Sequence, residues 1–190
     1  MGEEAGMIKL TELLEEQEAK KLRVFDFDDT IATTKSNVIL TDRHGNMSKL
    51  TPAEFAIYRE QPGDNLDFSE FNQVISPQEI KSVTNILRKL YAATGMRRVT
   101  VLTARKGAAE NDIKQFLQTI GINNIEVVGV GSAEPQAKAD WIETKIQQGY
   151  NDVFFIDDAR PNVMAVKQLS MKYPDVKWNI KLADYMHELN

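Results

Sequence analysis

Asp26 and Asp28 stand one residue apart in the run VFDFDDT at positions 24–30, a spacing that suits nucleophilic and proton-transfer chemistry. At the end of a strand, side chains two positions apart point to the same face. One carboxylate can then attack an electrophile while the other exchanges a proton with the leaving group. Because Asp26 lies among Val24, Phe25 and Phe27, a solvated, capped turn is the poorer account of this acidic run. A second acidic pair, Asp157 and Asp158, closes the apolar run VFFI at 153–156. That placement suits either a helix cap or a metal ligand. Thr103 and Arg105 follow another apolar run, Lys138 lies near the start of a helical stretch, and Arg160 follows Asp158. Clustered carboxylates repel one another and lose solvation unless a cation sits among them. The chain has no cysteine, and its histidines, His44 and His187, are far apart. An all-oxygen donor set favours magnesium over zinc.

These groups need elements that bring them together. Residues 22–27 read as a short buried strand, preceded by an amphipathic helix over 7–20. Residues 31–75 are irregular: a hairpin is expected from 38–41 and 47–50 around a turn at 42–46, with one or two helical turns at 52–60 and a loop at 61–65. Ser76, Pro77, Gln78 and Glu79 have the pattern of a capping box opening a helix that Gly95 ends. A strand at 98–102, a helix at 106–120 stopped by Gly121 and a strand at 125–128 follow. A helix from Pro135 to Gly149, a strand at 153–156, a helix from Pro161 and a strand at 176–180 complete the pattern. Such alternation predicts an α/β fold: a Rossmann-like parallel sheet of about five strands with helices on both faces. The expectation is a single domain over 1–190 with a small cap or flap insertion at about 31–75. In such sheets ligands bind beyond the carboxyl ends of the strands, where the four polar clusters would converge.

The run FDFDDT at 25–30 resembles the first motif of the haloacid dehalogenase (HAD) superfamily, DxDxT at a strand end. VTVLT at 99–103 resembles its second motif, Lys138 stands where the third-motif lysine is found, and FFIDD at 154–158 resembles the fourth. The resemblance covers about residues 22–169. It implies a phosphatase with a small cap, in which Asp26 attacks phosphorus and Asp28 serves as acid and base. Thr103 and Lys138 would hold the phosphoryl group, and Arg105 and Arg160 would contact substrate. Magnesium would be held by Asp26, the Asp28 carbonyl and Asp158, with Asp157 in support and Asn162 farther out. Asp29 departs from the pattern, since many members carry glycine there. Asp28 favours phosphoester hydrolysis over dehalogenation.

The substrate class stays open between a phosphorylated small molecule and a polynucleotide end. A fainter resemblance to nucleic-acid-repair branches of the superfamily rests on TAR at 103–105 and FDDT at 27–30. Lys35, Arg43, His44, Lys49 and Arg59 read as a solvated face, with phosphate contact as the alternative. A net charge of -5 speaks against a broad nucleic-acid-binding surface. No run is apolar enough to span a membrane, and no basic, apolar leader opens the chain, so a cytoplasmic protein is the default. Two rival readings are a receiver-type signalling module, which the order of the acidic pairs disfavours, and a non-catalytic phosphate- or metal-binding module.

Overall fold

A computed structural model describes residues 19–51, 54–55, 58–93 and 97–183. The expected helix over 7–20 lies almost wholly outside these residues, and the expected turns at 52–60 lie partly so. In chain order the strands and helices begin with β1 (Lys21–Phe25), β2 (Ala32–Thr33), β3 (Val38–Thr41), β4 (Met47–Leu50), β5 (Asn65–Asp67) and β6 (Gln78–Glu79). They continue with α1 (Lys81–Ala92), β7 (Arg97–Thr103), α2 (Glu110–Thr119), β8 (Glu126–Gly129), α3 (Pro135–Gln147), β9 (Asp152–Asp157), α4 (Arg160–Lys172) and β10 (Lys177–Leu182).

The five apolar runs pair as one parallel sheet in the order β10-β9-β1-β7-β8. Parallel strands are covered on both faces and therefore carry apolar side chains in both directions. Along β1, Phe25 enters one core while Leu22 and Val24 enter the other, and along β9 Phe154 and Ile156 alternate in the same way with Val153 and Phe155. The first core is closed by Val83 and Leu87 of α1 with Ile113 and Leu117 of α2. Ala139, Ile142 and Ile146 of α3 close the second together with Val163, Val166 and Leu169 of α4. The expected α/β fold, with helices on both faces, is the one observed. Among the described residues no helix is long and apolar enough to cross a membrane.

After β1 the chain builds outward through β7 to β8, then crosses back to lay β9 on the other side of β1. The strand order thus reverses between β1 and β9, and that crevice is where an open α/β sheet receives ligands. Phe25 stands opposite Ile156 in the register, so Asp26 and Asp157 emerge side by side. A hydrogen bond from the Asp26 amide to the Ile156 carbonyl, 3.0 Å, extends the pairing one step past β1.

Residues 28–80 form the insertion. The expected hairpin is present as β3 and β4 in antiparallel register, Val38 opposite Leu50. A third strand, β5, begins where the expected loop at 61–65 ends and joins the other edge of β3. The capping box expected at residues 76–79 is corrected. Gln78 and Glu79 pair with Thr33 and Ala32 as a two-stranded stem, Ile80 is the N-cap of α1, and no side chain caps that helix. The Ile80 amide donates to the Ile31 carbonyl at 2.9 Å, so the backbone that a helix would need is committed to the stem. Glu79 instead accepts the Thr84 hydroxyl and pairs with Arg88 at 2.7 Å.

Candidate active site

The chain leaves β1 by wrapping over a single carbonyl: the amides of Thr30, Ile31 and Ala32 all point to the Phe27 oxygen, at 3.4, 2.9 and 3.0 Å. This tight turn follows Asp26 immediately, so strand geometry does not reach Asp28. The two carboxylates do not share one strand face, and each has its own cation. Asp29 completes the turn at φ +53°, in the left-handed region, which aspartate tolerates better than most side chains and glycine adopts freely. That conformation gives a physical reason for glycine at this position in the resembled motif.

Lys138 reaches in from the first turns of α3, its side chain buried. Its ammonium donates to Asp26 Oδ1 at 2.5 Å and to Asp157 Oδ2 at 2.7 Å. Asp157 is also fully buried and has further donors: the Ala159 amide at 2.9 Å and the Asn162 amide group, at 3.0 and 3.1 Å from its two oxygens. Both oxygens of Asp157 are thereby engaged. Asp158 lies one residue on, its amide accepted by the Thr30 hydroxyl at 3.0 Å. Carboxylate oxygens of Asp26, Asp157 and Asp158 lie within 4.8 Å of one another.

Three carboxylates and one ammonium leave this cluster formally two charges negative, and the electrostatics register it. Burial raises the Asp26 carboxyl well above the usual carboxylate range; Lys138 opposes that rise, while Asp157, Asp158 and Asp28 add to it. Burial, Asp157 and Asp29 push Asp158 up to about 6. For Lys138 burial disfavours the charge, yet Asp26 and Asp157 outweigh it and raise its pKa, so it is a permanent cation. A hard divalent cation would relieve this excess with oxygen ligands alone. The available donors are the unbonded Asp26 Oδ2 and Asp158, whose Oδ1 accepts the Thr30 hydroxyl at 3.3 Å and whose Oδ2 has no hydrogen bond among the described residues. Asp157, with both oxygens engaged, would support from behind.

Asp28 is held from the opposite side. Arg105 grips it with Nε to Oδ2 at 2.8 Å and Nη2 to Oδ1 at 2.7 Å, a bidentate pair, and the Thr34 hydroxyl adds a bond at 3.2 Å. Arg105 is 4% exposed and also donates to Thr34 and Ser36 hydroxyls and to the Phe71 and Gln73 carbonyls. It is therefore a clamp between the end of β7 and the insertion, with its donors committed. Thr103 is fully buried at the end of β7, and its hydroxyl oxygen accepts the Arg105 amide at 3.2 Å. Arg160 is exposed at the start of α4.

The structure thus brings Asp26, Asp157, Asp158 and Lys138 into one cluster and sets Asp28 with Arg105 beside it. Of the cations noted in the insertion, Lys49 pairs with Glu70 at 2.6 Å and Arg43 donates to His44, away from these acids. Sequence reading missed Thr34 and Ser36, the hydroxyls that seat Arg105, because small polar residues in an irregular stretch carry no periodic signal. It also missed Gly129. A Cβ there would lie 2.6 Å from the Arg105 carbonyl and 2.8 Å from the Lys106 carbonyl carbon, so only glycine lets the loop after β7 lie against the end of β8. The glycines in the run GVG at 129–131 were the available cue. No family model, no curated protein and no solved structure matches the chain.

Proposed function

We propose that the chain is a magnesium-dependent phosphomonoester hydrolase working through a phosphoaspartate at Asp26, as its resemblance to the HAD superfamily implies. The observation that carries this reading is Lys138 bridging Asp26 and Asp157, with Asp158 in the same cluster, at the crevice where the strand order reverses. The cleft takes a phosphoryl group beside a fixed ammonium, and Asp26 keeps one oxygen, Oδ2, without a protein hydrogen bond among the described residues.

In the first half-reaction Asp26 attacks phosphorus, forming a new O–P bond as the bond to the leaving oxygen breaks. The leaving oxygen takes its proton from Asp28. In the second, water attacks the phosphoaspartate, its proton passes to Asp28, and Asp26 is released with inorganic phosphate. Lys138 and the Thr103 hydroxyl stabilise the negative charge that builds on the phosphoryl oxygens. Magnesium, held by Asp26 and Asp158 with Asp157 in support, would neutralise charge on Asp26 and the phosphoryl group. In its bidentate pair with Arg105, Asp28 is an acceptor only, the state required for taking a proton from water. To donate a proton to the leaving group it must be protonated and loosened from Arg105, so Arg105 positions the proton-transfer group and does not contact the phosphate.

The test is phosphate release from p-nitrophenyl phosphate with magnesium, comparing the wild-type chain with Asp26→Asn. Metal-dependent turnover reduced about a thousandfold or more by the substitution is expected. Turnover that survives in Asp26→Asn would sink the mechanism.

A further inference from the structure

A cleft of about 470 Å³ opens beside the acidic cluster, between the insertion and the loops after β7 and β8. Its size falls in the range of small-molecule sites. The lining is mixed: Asp28, Asp29 and Thr34, which follow the proposed nucleophile in sequence, share it with an apolar wall of Phe55, Phe68 and Phe71 with Val38. Phe55 meets Phe68 edge to face with ring centroids 5.3 Å apart, and Phe71 lies 6.4 Å from Phe68. Phe68 keeps 44% of its surface exposed, an aromatic ring left open beside a polar site. Asn72, Lys106 and Ser132 supply polar groups around the apolar wall.

We infer that this cleft receives the leaving group of the substrate, and that the leaving group is a nucleoside whose base packs against Phe68 and Phe71. The inference rests on the phosphohydrolase reading for its phosphoryl site, and the chamber's own chemistry selects the class. An aliphatic chain would satisfy the rings but offer nothing to the polar groups of the lining. A simple sugar phosphate would satisfy those groups and leave the rings wet. A nucleotide matches both parts of the lining. Its pentose hydroxyls meet the carboxylates and Thr34, and its flat base meets the rings. The Asn72 amide, which both donates and accepts, can meet a base edge. The same chemistry is offered by a free mononucleotide and by the terminal nucleotide of a strand. In the latter, exposed Lys106 of the lining offers a cation to a second phosphate.

Two measurements test it. The first is calorimetric titration of the Asp26→Asn chain, which cannot turn over, with adenosine 5′-monophosphate and with glycerol 1-phosphate. Nucleotide binding at least tenfold tighter is expected; equal binding overturns the inference whether or not the chain is a phosphatase. The second compares kcat/KM for the two compounds in wild type, Phe68→Ala and Phe68→Tyr. The preference for the nucleotide should fall about tenfold in Phe68→Ala and be retained in Phe68→Tyr. An unchanged preference in Phe68→Ala removes the base from this wall. Nucleotide-selective binding without phosphate release from any compound would leave the chamber standing and remove the hydrolase reading. Parallel titration with oligonucleotides phosphorylated at the 5′ or 3′ end separates the sources: a further gain over the mononucleotide assigns a strand end, and no gain assigns a free nucleotide.

Discussion

Lys138 and Asp26 form one ion pair, yet removing either should move stability in opposite directions. Without the ammonium, Asp26 and Asp157 are buried carboxylates with no cation between them, and breaking a buried pair from one side costs about 3–5 kcal/mol. Lys138→Met should therefore lower the melting temperature by roughly 10 °C in the absence of divalent cations. Asp26→Asn keeps an oxygen for the lysine and removes a charge that burial already disfavours, as its raised pKa records. It should raise the melting temperature while abolishing the proposed phosphatase activity, the trade expected where function demands clustered charge. Thermal melts in chelator check both; a less stable Asp26→Asn would mean the cluster is balanced without a cation. Asp26 and the paired Asp157 and Asp158 were legible because they sit where an apolar run meets a polar one, and Lys138 because it lies near the start of a helix after a strand, in the order of the resembled motifs. The role of Arg105 was not. Its partner Asp28 is 77 residues away, and its seat of hydroxyls and carbonyls lies in a stretch without periodicity.

Elements with a strong period were read closely, and those defined by pairing alone were not. The hairpin and the five sheet strands announced themselves by apolar runs bounded by turn residues. The strands β2, β5 and β6 are two or three residues long and exist because a partner is present, so local sequence carries no sign of them. Residues 76–79 had the composition of a helix start, but long-range pairing with the chain after β1 prevailed over a local preference worth about 1 kcal/mol. The edge of the central sheet shows how such pairing is reinforced. Glu126 opens β8 and accepts the Thr100 hydroxyl at 2.6 Å and Arg98 Nε at 2.6 Å from β7, with a second bond from Arg98 Nη2. Burial alone would raise its pKa; the bonds from Arg98 and Thr100 outweigh that and hold it below the ordinary 4.5. A depressed carboxylate stabilises the fold above its unfolded pKa and ceases to do so as pH falls through its folded one. Glu126→Gln should melt roughly 1–4 °C below wild type at pH 7, the modest scale of a partly exposed pair. That gap should close as pH drops below 4.5. Melting curves of both proteins between neutral and acidic pH check it, and a gap that persists in acid would assign the effect to packing.

At the scale of the molecule, the two apolar cores meet across β1 and β9, and the acidic cluster sits at the end of that shared seam. Stabilising the cluster therefore stabilises the whole fold. The chain carries a net charge of -5, and part of the excess is concentrated where Asp26, Asp157 and Asp158 converge with, among the described residues, Lys138 as their ion-pair partner. A ligand that binds only the folded chain adds stability in proportion to the logarithm of its concentration over Kd, about 2.7 kcal/mol at a hundredfold excess. For a chain of this size magnesium at that excess should raise the melting temperature by roughly 5–10 °C. Unfolded aspartates bind magnesium too weakly to compete, so the rise reports the assembled cluster. Asp158→Asn should remove most of the rise, since Asp158 is the acid of its pair with an oxygen, Oδ2, still available, whereas Arg160→Ala should retain it. Scanning calorimetry of the three proteins with and without magnesium decides the matter without any substrate. A rise equal in wild type and Asp158→Asn would place the ion elsewhere. No rise in wild type would mean that Lys138 alone, among the described residues, balances the cluster, and that the proposed attack by Asp26 on phosphorus would have to proceed without a metal beside it.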